Sequence, residues 1–180
     1  MVFVFLANGF EETEAIAPID ILRRNGREVV TVGIGGDVIT SSHGVTVVPD
    51  VTEIDITMSD ETEMIVLPGG MPGTLNLEGN DKVQKVIDYC SENDKFIAAI
   101  CAAPSILGHK GLLKGKKATC FPGFEKDLDG AEFVDSLVAA DGKIITGKGA
   151  GASIEFGLKL AEVMTSPEVA AHLRSSLQCK

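Results

Sequence analysis

Phe96-Ile97-Ala98-Ala99-Ile100-Cys101-Ala102-Ala103-Pro104-Ser105-Ile106-Leu107 is the stretch that decides the fold. Its first five residues form an unbroken apolar run, as in a strand buried on both faces, and the residues after Cys101 read as the start of a helix. A strand running directly into a helix is a unit of a parallel α/β sheet. Cys101 then stands at the elbow, on the carboxyl edge of the sheet, where the unpaired N–H groups and positive end of the new helix favour a thiolate. A small buried thiol also fills cores, so the elbow alone leaves both roles open.

Apolar runs of the same kind recur at Val2 to Ala7, Val29 to Ile34, Met64 to Leu67 and Lys143 to Thr146. Between them lie stretches of helical period: Ala15, Ile16, Ile19 and Leu22 make one apolar stripe, closed by Asn25-Gly26, and Val83, Val86, Ile87 and Cys90 make another. Two further helices are expected around Ile154 to Ala161 and, after Pro167, around Val169 to Leu173. Residues 34 to 58 break the alternation: Gly35-Gly36 and Ser41-Ser42-His43-Gly44 bracket short β-prone pieces, which read as a hairpin excursion. With no repeat or linker in view, residues 1–180 read as one doubly wound domain.

The chain has 180 residues, is 44% hydrophobic and carries a net charge of −10. A core of this size needs neither metal nor disulfide. No basic run exceeds Arg23-Arg24 or Lys116-Lys117, so nucleic acid and anionic membranes are not expected partners. The cysteines at 90, 101, 120 and 179 show no C-x-x-C spacing and only His43, His109 and His172 accompany them, which suggests no metal site and reduced thiols in a cytoplasm. The apolar opening lacks a basic flank and reads as a first strand rather than a targeting segment.

In open α/β sheets reactive groups gather where strands end. Strand one is followed by Asn8-Gly9-Phe10-Glu11-Glu12-Thr13-Glu14, the Met64 strand by Pro68-Gly69-Gly70-Met71-Pro72-Gly73, and the last clear strand by Gly147-Lys148-Gly149-Ala150-Gly151. Acids at a helix start answer its dipole, and spacing does not choose among them: Glu11 aligns with Ala15, Glu14 with Pro18. Gly69-Gly70 can bring bare N–H groups to an oxyanion or can be a plain turn. The late glycines do not make a nucleotide motif, because a third glycine would fall on Ala152 and no P-loop Lys-Ser/Thr follows. Tight helix-to-sheet packing is their simpler role. His109 lies eight residues past Cys101, about 12 Å along a continuing helix, too far to serve as a base for it.

Gly9-Phe10-Glu11-Glu12-Thr13-Glu14, Leu67-Pro68-Gly69-Gly70, Ala98-Ala99-Ile100-Cys101-Ala102-Ala103-Pro104 and Gly149-Ala150-Gly151-Ala152-Ser153 together, in this order, resemble the DJ-1/ThiJ/PfpI superfamily, and its DJ-1 branch most. The resemblance implies a flavodoxin-like three-layer sandwich with a mostly parallel sheet, usually a homodimer. It implies that Cys101 is the reactive cysteine, Glu14 the glutamate hydrogen-bonded to it, and the N–H groups of Gly70 and Ala102 the oxyanion donors. Two departures stand out. The hydrolase-like branch has histidine directly after the cysteine, whereas Ala102 stands here, which disfavours a peptidase. Where the DJ-1 branch often places a histidine, this chain has Cys120, a possible redox partner for Cys101 or a small apolar replacement.

The activity the resemblance implies is cofactor-independent glyoxalase or deglycase chemistry on small reactive carbonyls such as methylglyoxal, glyoxal and early glycation adducts. The alternative is an oxidative-stress sensor or chaperone signalled by oxidation of the same cysteine.

Overall fold

The computed structural model describes residues 1–179. In chain order the elements are β1 (Val2–Ala7), α1 (Glu12–Arg24), β2 (Val29–Ile34), β3 (Ile39–Thr40), β4 (Thr46–Val47), β5 (Val51–Thr52), β6 (Met64–Leu67), α2 (Gly73–Glu78), α3 (Asp81–Glu92), β7 (Phe96–Ile100), α4 (Pro104–His109), β8 (Lys117–Ala118), β9 (Glu132–Phe133), β10 (Val138–Asp141), β11 (Ile144–Gly147), α5 (Ser153–Met164) and α6 (Pro167–Ser176). Seven strands form one sheet in the order β10-β11-β7-β6-β1-β2-β5. All neighbours are parallel except β10, which runs antiparallel to β11.

The period of two along each strand separates two cores. Phe3, Phe5 and Ala7 of β1 join Ile65, Leu67, Ile97 and Ala99 against Val83, Val86, Ile87 and Cys90 of α3 and Ile106 and Leu107 of α4. Val2, Val4 and Leu6 join Val66, Ala98 and Ile100 against Ala15, Ile19 and Leu22 of α1 and Phe156 and Leu160 of α5. Burial of each such Leu, Ile or Phe contributes about 1.5–3 kcal/mol, which is why these strands carry almost no polar residue. Helices on both faces of a mostly parallel sheet make the three-layer α/β sandwich expected from the alternating runs.

Three local readings of the sequence need correction. Ile16 does not belong to the buried stripe of α1: it is 45% exposed, and the inward face is Glu14, Ala15, Pro18, Ile19, Ile21 and Leu22. α1 is held on two sides, by the sheet and by α5, where a Cβ on Gly157 would lie 2.6 Å from Ile21 Cδ1, so its buried face is wider than one stripe. The hairpin excursion is real but shorter than the segment suggested. β3 and β4 pair antiparallel for two residues, and β5 then returns to the main sheet beside β2. Finally, the residues after Cys101 turn before they coil, and α4 has only six residues.

The hairpin matters for position. Gly9 N–H donates to Thr40 O at 2.8 Å and Ser42 N–H to Phe10 O at 2.7 Å, so it braces the loop between β1 and α1. That loop faces the elbow after β7.

Candidate active site

Cys101 is the last step of β7 into the turn before α4, and its φ is +66°. A non-glycine residue there costs about 1–3 kcal/mol and persists only where its surroundings hold it. Cys101 N–H donates to Gly147 O of β11 at 2.9 Å, and Cys101 O accepts from Phe121 N–H at 2.8 Å. Both sides of the elbow are thereby tied down. Of the late glycines, Gly147 takes the packing role: a Cβ on it would meet Ile100 Cγ1 at 2.8 Å and Phe156 Cδ2 at 3.0 Å.

The three acids after β1 are separated by what they touch. Glu11 is the N-cap of α1, its Oε2 accepting from Glu14 N–H at 2.7 Å. Glu12 turns outward to His43 Nδ1, 3.1 Å from its Oε1. Glu14 turns inward and is fully buried. Its Oε2 accepts from Gly69 N–H at 2.9 Å, its Oε1 has no hydrogen-bond partner among the described residues, and the carboxyl lies beside Cys101 across the bare Cα of Gly69. Spacing alone does not single it out: Glu14 lines up with Pro18 and then Ile21, and folding presses that line of α1 between the sheet and α5. Pro18, lacking an N–H, also leaves the Glu14 carbonyl without its usual helical donor.

Gly69, read from the sequence as an oxyanion donor or a plain turn, has a different part in the site. A Cβ on it would lie 2.6 Å from Cys101 Cβ, 2.7 Å from Glu14 Oε2 and 2.9 Å from Ile100 O. Only a bare Cα lets the two side chains meet across it. Gly70 follows with φ +91°, and a Cβ there would meet Glu11 N at 2.4 Å. This tight passage leaves the backbone N–H of Gly70, with that of Ala102, near enough to Cys101 to favour its thiolate.

Burial raises the Glu14 carboxyl from 4.5 to about 7, helped by the charge of Glu11 and opposed by the hydrogen bonds from Cys101 and Gly69. The Cys101 thiol is pushed up to about 12, first by burial and then by the charge of Glu14, against the pull of the Ala102 and Gly70 N–H groups. This reverses the expectation that the helix start would favour a thiolate. α4 is short and begins with a proline, which has no N–H, so the elbow receives two backbone donors rather than a helix terminus. When Glu14 holds the proton, the charge opposing the thiolate is gone and its O–H becomes a donor to the sulfur.

The remaining candidates make other contacts. His109 Nδ1 bonds Glu78 Oε1 at 2.6 Å, a contact that raises its pKa. Cys120 is fully buried in the core cluster with Leu107, Leu113 and Leu128, whereas Cys101 packs against the cluster of the other face. Burial and the charges of Glu125 and Asp127 push the Cys120 thiol up to about 11. All four cysteines are free. Glu11, Glu12 and His43 place three ligand-type atoms within 4.8 Å of one another, but Glu11 is engaged by its capping bond and Glu12 by His43. Among the described residues no helix is long and apolar enough to cross a membrane.

Comparison with known proteins finds similarity over most of the chain. Protein DJ-1 homolog B of Arabidopsis thaliana is 38% identical over 179 residues, which is 98% of this chain but 41% of that protein, so the chain spans less than half of this relative's length. A protein of Pyrococcus abyssi named as a deglycase is 33% identical over 150 residues, 82% of this chain and 89% of its own. The crystal structure of Drosophila melanogaster DJ-1beta superposes with a TM-score of 0.93 at 34% identity, covering 99% of this chain and 97% of that one. The profile of the DJ-1/PfpI family matches residues 1–163, and the chain belongs to that family.

Proposed function

We propose that Cys101 is the nucleophile of a cofactor-independent enzyme acting on small reactive carbonyls, a glutathione-independent glyoxalase or a deglycase. The observation that carries this reading is the fully buried Glu14 carboxyl standing beside Cys101 across the bare Cα of Gly69; the N–H groups of Gly70 and Ala102 add their pull toward the thiolate. The deglycase name of the Pyrococcus relative supports the same class of reaction.

In this reading the Cys101 thiolate adds to the aldehyde carbon of methylglyoxal, and the Gly70 and Ala102 N–H groups stabilise the oxyanion of the hemithioacetal. Glu14 takes the proton from that carbon and returns it to the neighbouring one through an enediol. The resulting thioester is hydrolysed by one water, which gives lactate and restores the thiol. A carboxyl near 7 suits such a shuttle, because both of its forms are populated at neutral pH. A peptidase is disfavoured, since Ala102 occupies the position after the cysteine and the groups acting on its sulfur are a carboxyl and two backbone donors.

A second reading, oxidation of Cys101 as a stress signal, is favoured by accessibility: Cys101 is partly exposed while Cys90 and Cys120 are not. The deciding experiment follows methylglyoxal loss and lactate formation without glutathione for wild type, Cys101→Ser and Glu14→Gln. Both variants are expected to lose activity by about 10²-fold or more. Turnover that survives in Cys101→Ser overturns the mechanism, and none in the wild type leaves the oxidation reading.

A further inference from the structure

A cavity of about 480 Å³ lies at the opposite edge of the sheet from Cys101. It opens at the amino ends of β7 and β11, and its floor is apolar, made by Phe96, Ile97, Leu112 and Ile144. Its rim carries Lys95, Lys116 and Lys143, with Asp94 as the one acidic residue.

Three lysines against one acid invert the balance of a chain that holds 26 acidic and 16 basic residues. The lysines are held in different ways. Lys143 Nζ stands 4.2 Å from the centre of the Phe96 ring and 3.4 Å from Asp94 Oδ2. Lys95 Nζ donates to Asp60 O at 2.9 Å, which spends one donor but leaves its charge uncompensated. No carboxylate lies within ion-pair distance of Lys116 among the described residues, and its ammonium group approaches Gly142, a cavity residue. The charge of the rim therefore exceeds what Asp94 neutralises.

An apolar floor with a cationic rim selects one chemical class: a compact organic anion with a ring or short chain to cover the floor and a carboxylate, sulfonate or phosphate to meet the rim. We infer that this cavity is a binding site for such an apolar organic anion, separate from the Cys101 site. An inorganic ion gains nothing from Phe96, Leu112 and Ile144, and a neutral apolar molecule gains nothing from the lysines. The site stands independently of the carbonyl chemistry, because β7 carries one of the two at each end.

The probe is 8-anilinonaphthalene-1-sulfonate, whose fluorescence rises on transfer to an apolar surface, titrated into the folded full chain. Saturable binding is expected, weakened at least fivefold by Lys116→Glu combined with Lys143→Glu and unchanged within twofold after Cys101 is alkylated with iodoacetamide. Both lysines are on the rim, and an unchanged circular dichroism melt for the double variant shows that the fold is intact. Should that variant melt early, the milder Lys116→Gln, expected to weaken binding at least twofold, replaces it. The assignment is overturned by absence of saturable binding, by smaller effects than these, or by loss of binding on alkylation of Cys101.

Discussion

Gly69 donates its N–H to Glu14 Oε2 at 2.9 Å, and the space its missing Cβ leaves is where the Glu14 carboxyl approaches Cys101. One residue thus both holds the carboxyl and makes room for it.

Gly69→Ala is expected to damage the site more than the fold. The added methyl meets the Cys101 Cβ, the Ile100 carbonyl and the buried Glu14 carboxyl, and overpacking of this kind costs about 1–3 kcal/mol. Activity on methylglyoxal should fall about 10²-fold, with a lower melting temperature. Gly151→Ala, whose Cβ would have nothing within 4 Å, should change neither and serves as the control.

The raised Glu14 carboxyl makes stability depend on pH. Its folded value of about 7 lies above the ordinary 4.5, so the folded state binds a proton more tightly than the unfolded chain does. Between those values the native protein carries more protons, and stability must fall as pH rises, by about 3 kcal/mol at most. Denaturant melts from pH 4.5 to 8 should show this decline in the wild type and its loss in Glu14→Gln. A parallel pH dependence in both would remove Glu14 as the cause.

The positive φ of Cys101 separates two substitutions of similar size. Glycine accepts this conformation and alanine does not, so Cys101→Gly should be more stable than Cys101→Ala by about 1 kcal/mol. Equilibrium unfolding in urea measures the difference.

Thiol accessibility gives a ranking. Cys90 and Cys120 are fully buried, whereas Cys101 and Cys179 are partly exposed. Iodoacetamide on the native protein should label Cys101 and Cys179 at least about tenfold faster than the other two, as read by peptide mass spectrometry. After mild peroxide the same measurement should find oxygen added at Cys101 and no Cys101–Cys120 linkage, as expected if Cys120 is a packing residue.

Family membership leads us to propose a homodimer. Light scattering on the eluting peak should give twice the 18.9 kDa chain mass, and a purely monomeric species would contradict the proposal.

The main strands were readable because each is a continuous apolar run with a core on either side; β1, β2, β6 and β7 have the bounds those runs suggested. The edges were not. β5 is two residues long and β10 is Val-Ala-Ala-Asp, neither apolar enough to announce burial on two faces. At the site, Cys101 could be placed by local sequence because the strand and the turn lie next to it. Choosing Glu14 over Glu11 and Glu12 required knowing that α1 is pressed by α5, a contact between segments 140 residues apart that leaves no mark on spacing. The direction of the Cys101 shift failed for a related reason: a helix start can be read from sequence, whereas the buried carboxyl opposite it is brought there by folding.

The two backbone bonds that clamp Cys101, to Gly147 and from Phe121, have a consequence for what the sulfur can become. With the main chain fixed on both sides, an adduct or added oxygen cannot be relieved by the elbow swinging away. It must grow toward Glu14 and the paired donors or outward into solvent. What the proposed reaction can accept is therefore set by how much volume that fixed corner admits, in the way a vice, rather than a hinge, decides what can be worked in it.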